Sequence, residues 1–275
     1  MKPFYGPVAE LLPPPVRGHV RRLWYGLKRA SQWPSARWHP WRRESIQRLA
    51  KLKDVHRGER CFVIGNGPSL NETDVSRLEN EYTFGMNRIY LAFDEWGFQT
   101  SYLVSVNDLV IQQCHLDFQE LDIPKFFSWR ARNLLYPNGT LDDQTHFLFT
   151  TYTGPKFAQD ARARMWEGAT VTYVCLQLAF HMGFEKAVLI GVDHSFSTQG
   201  DPNTTVVSEG ADPDHFSEDY FGKGFRWQLP DLATSEIAYR MARDAYEDAG
   251  REIVDATIGG KLEGFPKVNY LDLFS

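Results

Sequence analysis

The chain has 275 residues, a 43% hydrophobic and 14% aromatic share, and a net charge of −5. That composition excludes a disordered or collagen-like polymer and allows a sizeable core. The longest apolar runs, such as Ala187 to Val192, fall far short of the roughly twenty residues a membrane span needs.

The charge is unevenly spread. Residues 1–60 carry 14 Lys/Arg against 4 Asp/Glu, and the remainder 16 against 31. The same basic stretch holds Trp24, Trp33, Trp38 and Trp41. We therefore read residues 1–53 as a basic, Trp-rich extension and residues 54–275 as the main domain. Basic residues interleaved with Trp suit an anionic membrane surface. The alternative is an irregular arm that packs its aromatics on the domain and solvates its charges. Nucleic acid is not an expected partner, because the acidic body repels phosphate backbones. The prolines near the N-terminus argue against a secretory signal. Cys61, Cys114 and Cys175 are an odd number, which fits a reducing cytoplasm and no disulfide framework.

In chain order, a short helix is predicted over residues 17–30, with "LLPPPV" and "WPSARWHPW" breaking any longer one. Residues 42–53 place Ile46, Leu49 and Leu52 at helical spacing. "RGERCFVIG" reads as a short buried strand. "YTFGMNRIY" and "TSYLVSVND" follow as second and third strands, then "KFFSW" and "HFLFTT". Residues 170–182 are apolar nearly all round, predicting a buried helix that stops at Gly183. "KAVLIGVD" is a further buried strand, and residues 195–230 a long polar loop of the kind that usually carries function. "TSEIAYRMARDAYEDAG" reads as an amphipathic helix with Ile237, Met241 and Tyr246 on its apolar side, and "EIVDAT" as the last strand.

Buried strands alternating with helices predict an α/β fold: a mostly parallel sheet with helices on both faces. Such sheets bind ligands beyond the carboxyl ends of their strands. That rule gathers Gly65-Asn66-Gly67, Asn87, Asn107-Asp108, Asp193-His194 and Gly259-Gly260-Lys261 into one crevice. In "VIGNGPSL", Gly65 and Gly67 let backbone and ligand approach closely. Pro68 suits a first helical turn, and Ser69 can cap it, leaving free N–H groups for an anion. The motif is neither a lysine-bearing phosphate loop nor a dinucleotide fingerprint.

"CFVIGNGPSLNETDVSRLENEYTFGMNRIY" resembles the N-terminal segment of the bacterial sialyltransferases that use CMP-sialic acid, and "TVTYVCLQLAFHMGFEKAVLIGVD" resembles their later helix-strand unit. The chain resembles more closely the 6-hydroxymethylpterin diphosphokinase-like (MptE-like) group, also through "DHFSEDYFGKGFRW" and "ATIGGKLEGFPKVNYLDLF". The likeness runs over roughly residues 54–275 and implies a Rossmann-like core.

By that resemblance Asn66 contacts the donor's phosphate and sugar, and Asn87 the cytidine ribose or phosphate. Asn107 lies near a third nucleotide contact. Thr170 and Thr172 fall around the pair that meets the sugar carboxylate. Two departures stand out. His194 and Ser195 replace aromatic residues that include a phosphate-binding Tyr, and no His stands at Gln228 to Asp231, where the catalytic His is expected.

Transfer to a hydroxyl needs a base, and His fits best. His215 is the first candidate and His194 the second, each with a structural role as the alternative. His181 reads as a core residue. Tyr220, Lys223, Arg226 and Lys261 can meet charge on the leaving phosphate. The loop aromatics either stack on a ligand or form a satellite core. No Cys or His pair has zinc spacing, while Asp108 and Asp193 can hold Mg²⁺ through a diphosphate.

The leading expectation is a cytoplasmic glycosyltransferase with a CMP-linked acidic sugar as donor, needing no metal. Its acceptor is a surface glycan or lipid-linked precursor, with peripheral contact at the inner membrane face through residues 1–53. The alternatives are a Mg²⁺-dependent diphosphokinase acting on a hydroxymethylpterin with ATP, and a non-catalytic nucleotide binder. A homo-oligomer stays open.

Overall fold

The computed structural model describes residues 27, 30–152, 154–198 and 200–275. The short helix predicted over residues 17–30 lies almost wholly outside them, as does Trp24. Residues 30–38 are helical straight through Pro34. A proline fixes φ near the helical value, so it can give up one bond without ending a helix. The break comes instead at His39, which caps α1 (Pro40–Leu52) by accepting the Trp41 N–H on its Nδ1.

Eight strands form one parallel sheet: β1 (Arg60–Ile64), β2 (Tyr82–Met86), β3 (Tyr102–Ser105), β4 (Lys125–Ser128), β5 (Thr145–Thr151), β6 (Arg164–Trp166), β7 (Lys186–Ile190) and β10 (Glu252–Asp255). Their order is β10-β7-β1-β2-β3-β4-β5-β6. The chain starts in the middle at β1, builds outward to β6, then returns to the far side of β1 as β7. The reversal lies between β1 and β7, where an α/β sheet opens a crevice at its carboxyl edge. This is the expected Rossmann-like α/β arrangement. A separate antiparallel hairpin pairs β8 (Thr205–Val207) with β9 (Arg226–Gln228) inside the long loop.

The strands are buried on both faces, so they show no polar alternation. Cys61, Val63, Ala187 and Leu189 point into one core, while Phe62, Ile64, Val188 and Ile190 point into the other. Helices α2 (Phe93–Trp96) and α4 (Arg132–Leu135) are single turns, and α3 (Asp108–Glu120) covers the second core through Val110, Ile111, Cys114 and Phe118. On the first face, α5 (Val171–Met182) is buried along its whole length between the sheet and α6 (Leu232–Asp248). Gly183 ends α5 at φ +96, a backbone region that disfavours any residue with a Cβ.

The apolar side of α6 differs from expectation. Ile237 and Met241 are 46% and 37% exposed, and the buried face is Ser235, Ala238, Tyr239, Ala242 and Tyr246. Small residues at 235, 238 and 242 let α6 lie close on its neighbours, and the Tyr246 hydroxyl donates to the Leu176 carbonyl at 2.8 Å.

Helix α1 joins the first core through Leu49. Arg42, 2% exposed, donates to the Arg162 carbonyl, and Ser45 Oγ accepts the Phe147 N–H. All three cysteines are free and buried. No helix among the described residues is long and apolar enough to cross a membrane.

Candidate active site

At the carboxyl edge, the segments after β1, β2, β3 and β7 meet the long loop around a cavity of about 180 Å³. Of the sequence candidates, Gly65, Asn66, Gly67, Asn87, Asn107, Thr170, Thr172, Asp193, His194, His215 and Tyr220 line it. Pro68, Ser69, Asp108, Lys223 and Lys261 do not. Asp108 is paired with Arg130 at 3.2 Å and is absent from the cavity wall that carries Asp193, so the two acids named for Mg²⁺ do not share that cavity. Lys223 and Lys261 are exposed. Arg226 bonds Gln112 on α3 instead of any cavity residue.

The β1 turn works differently from its sequence reading. A Cβ on Gly65 would lie 2.2 Å from the Gly191 carbonyl oxygen, and one on Gly67 would lie 1.8 Å from Asp193 Oδ2. Both glycines therefore make room for the β7 turn while also lining the cavity. The N–H groups expected to greet an anion are spent. Gly65 donates to Ile190, Gly67 to Gly191, and Ser69 to Asp193 Oδ1, with Ser69 Oγ reaching Asp193 Oδ2 at 2.7 Å. The protein's own carboxylate occupies the anion position at this turn.

Asn66 is buried, and its Nδ2 donates to the Met86 carbonyl at 3.2 Å. That leaves Oδ1 buried without a hydrogen-bond partner, an arrangement that costs free energy unless a donor arrives. An amide oxygen accepts and cannot meet an ionised phosphate oxygen; it fits a ligand O–H or N–H. Asn87 is the complement. Its Oδ1 accepts from Ser105 Oγ at 3.0 Å, so its amide nitrogen is what it offers a ligand. Asn87, Ala169 and His194 all hold left-handed φ values, of 50°, 62° and 55°. Such backbone is uncommon outside glycine and clusters at functional sites.

Three helix N-termini converge here. The caps Asn107 of α3, Thr170 of α5 and Asp231 of α6 all line the cavity. Each end carries about half a positive charge. Among the described residues, no Lys or Arg lines the cavity.

Two histidines flank it, each held by a carboxylate. His215 Nδ1 lies 2.8 Å from Asp212 Oδ2, and its ring stacks on Tyr220 at 4.0 Å. A proton on Nδ1 that bonds Asp212 leaves Nε2 as the ring nitrogen able to accept one. The neighbouring Phe216 N–H donates to the Asn66 carbonyl at 2.9 Å, which ties this loop to the β1 turn. His194 Nε2 lies 2.8 Å from Glu236. Burial lowers the His194 pKa, against the pull of Glu236.

The loop aromatics form a satellite core. Phe221 stacks on Phe225 and Trp227 at 4.8 and 5.4 Å. Arg88 clamps the loop through the carbonyls of Asp219 and Tyr220. Tyr220 itself is buried, and its hydroxyl accepts the Arg88 N–H at 3.4 Å.

Sequence reasoning missed Asp212, Asp214, Glu236 and Tyr239. Only Asp212 left a local signal, its spacing of three from His215.

Residues 41–199 match the model of the family described as 6-hydroxymethylpterin diphosphokinase MptE-like. No curated protein matches the chain. Among solved structures, a MAf glycosyltransferase from Magnetospirillum magneticum AMB-1 aligns at a TM-score of 0.48 and 15% identity, over 82% of this chain and 38% of that one. The chain thus spans well under half the length of that protein.

Proposed function

The chain belongs to the 6-hydroxymethylpterin diphosphokinase MptE-like family, and from that premise we propose a transferase that holds a nucleotide-activated sugar in the carboxyl-edge cavity. The observation that carries this reading is the cavity's lining: three helix N-termini and the unpartnered Asn66 Oδ1, no Lys or Arg among the described lining residues, and three carboxylates, Asp193, Asp214 and Asp231, each already bonded to protein N–H or O–H groups. A sugar linked to a nucleoside monophosphate has one negative charge on its phosphodiester. Helix ends and neutral amides can meet that charge. A polyphosphate carries several charges and calls for Lys, Arg or metal. The pattern favours a CMP-type donor, with an acidic sugar as the sequence resemblance implies.

In this mechanism Asn66 Oδ1 accepts a hydroxyl of the donor's ribose or sugar, and the Asn87 amide donates to the phosphate. The acceptor hydroxyl, from a surface glycan or glycolipid precursor, loses its proton to His215 Nε2. Its oxygen bonds to the anomeric carbon as the carbon–phosphate-oxygen bond breaks. The electron pair leaves on the nucleotide phosphate, facing the helix ends. Asp212 keeps His215 in the required tautomer and stabilises its protonated form.

The family description suggests a second reading, diphosphate transfer from ATP to a hydroxymethylpterin. Asp193 and Asp214 on the cavity wall favour it, since Mg²⁺ binds through one or two carboxylates plus phosphates. Both acids are already bonded, Asp193 to Ser69 and Asp214 to the Ser197 N–H. They do not make a ready metal site.

Thermal unfolding with CMP, UDP, GDP or ATP, each with and without Mg²⁺, separates the readings. CMP should stabilise without Mg²⁺, by about 2.7 kcal/mol at a hundredfold excess over Kd, and Asn66→Ala should remove most of that. Stabilisation by Mg·ATP alone would replace the first reading with the second.

A further inference from the structure

Trp33 and Trp38 follow no packing logic. In the same stretch Trp41 stacks near Phe147, and Trp129, which the His39 ring meets, is fully buried. Yet Trp33 and Trp38 are 49% and 63% exposed, set edge to face at 5.5 Å. Arg37 and Arg43 are exposed beside them. Between the helical residues 30–38 and the first turns of α1 lies an open hollow of about 340 Å³, lined by Arg37, Trp38, Arg43, Ile46 and Gln47. This corner is fixed to the sheet's carboxyl edge: the Trp129 Nε1–H, just past β4, donates to Ser35 Oγ at 3.1 Å, and the His39 ring meets the Trp129 ring at 5.1 Å. The candidate active site lies on the same edge.

We propose that this corner docks on an anionic lipid surface, with Trp33 and Trp38 at headgroup depth and Arg37 and Arg43 on lipid phosphates. Trp is enriched at membrane interfaces because its ring is apolar and its N–H polar. Arginines beside it add attraction to anionic headgroups. The charge split of the chain strengthens the case: the basic first 60 residues would turn toward such a surface and the acidic remainder away from it. Residues 1–26 are a poor alternative cover, since they carry four Lys/Arg against one Glu and share the sign of Arg37 and Arg43. An extended polyanion such as single-stranded nucleic acid also stacks on Trp, but it would run onto the acidic body. This docking does not depend on the transferase reading.

Sedimentation of the full chain with vesicles tests it. One set is phosphatidylcholine alone; the other contains about 30% phosphatidylglycerol. The protein should sediment with the anionic set, shift its Trp emission to the blue, and detach at about 0.5 M NaCl. Arg37→Glu/Arg43→Glu should lower partitioning by more than about tenfold. Trp33→Ser/Trp38→Ser should also weaken it while leaving the unfolding midpoint in place, both side chains being exposed. Four results would each overturn the proposal: no binding, equal binding to both vesicle types, unchanged binding of the Arg variant, or release of bound protein by a single-stranded oligonucleotide.

Discussion

Gly67 and Asp193 define the tightest point of the site. The glycine has no Cβ because the Asp193 carboxylate fills that space, 1.8 Å from where the atom would sit. Asp193 in turn is held by Ser69 through both its oxygens. The two turns after β1 and β7 are therefore one interlocked unit, and Asn66 sits at its tip. Gly67→Ala should destabilise the fold by about 1–3 kcal/mol, as overpacking of a rigid site does. Asp193→Ala should recover part of that loss in the double variant, although the Gly191 carbonyl, 2.9 Å from the same position, still opposes the methyl. Urea unfolding of the four proteins measures the coupling. Strict additivity would mean that the carboxylate is not what excludes the side chain.

Among the elements, α6 shows most clearly how a sequence pattern can mislead. Its large apolar residues Ile237 and Met241 face outward, and its buried stripe is built on Ser235, Ala238 and Ala242 with two tyrosines. Ile237→Lys and Met241→Lys should each shift stability by no more than about 0.5 kcal/mol. Ala242→Leu should cost about 1–3 kcal/mol by forcing the helix off its neighbours. Denaturant midpoints decide between the two faces; a costly Ile237→Lys would contradict the register. The same reasoning explains what else was legible. The inner strands and α5 could be read because burial on every side leaves unbroken apolar runs. Their polar ends at Asn66, Asn87, Asn107 and Asp193 followed from the α/β crevice rule. Helix α3 was missed because it mixes polar and apolar residues and kinks at Cys114. The three-residue strands β6, β8 and β9 are too short to show a period. The pairing of His194 with Glu236 joins residues 42 positions apart, and no local pattern encodes such a contact.

Across the whole molecule, acid sensitivity is built into buried histidines. Burial lowers the pKa of His146 to about 4, against the hydrogen bond of its Nδ1 to the Gln144 carbonyl. Burial also lowers those of His181 and His194. In each case the unfolded chain, with an ordinary value near 6.5, binds the proton first as pH falls. Protonation therefore favours unfolding. The stability these groups contribute is fully present above about pH 6.5 and is lost as pH falls toward their folded values. For His146 that window runs from about 6.5 to 4, a loss of roughly 3 kcal/mol. Asp160 adds a separate loss below its unfolded value, because the Arg162 hydrogen bond holds its carboxyl well under the usual range. His146→Phe keeps a ring to stack on Phe126, which the imidazole meets at 4.7 Å, and removes the titration. Unfolding midpoints of that variant should fall less steeply than those of the parent between pH 6.5 and 4.5. Parallel curves would show that the acid sensitivity arises elsewhere, with His181 and His194 the next groups to replace.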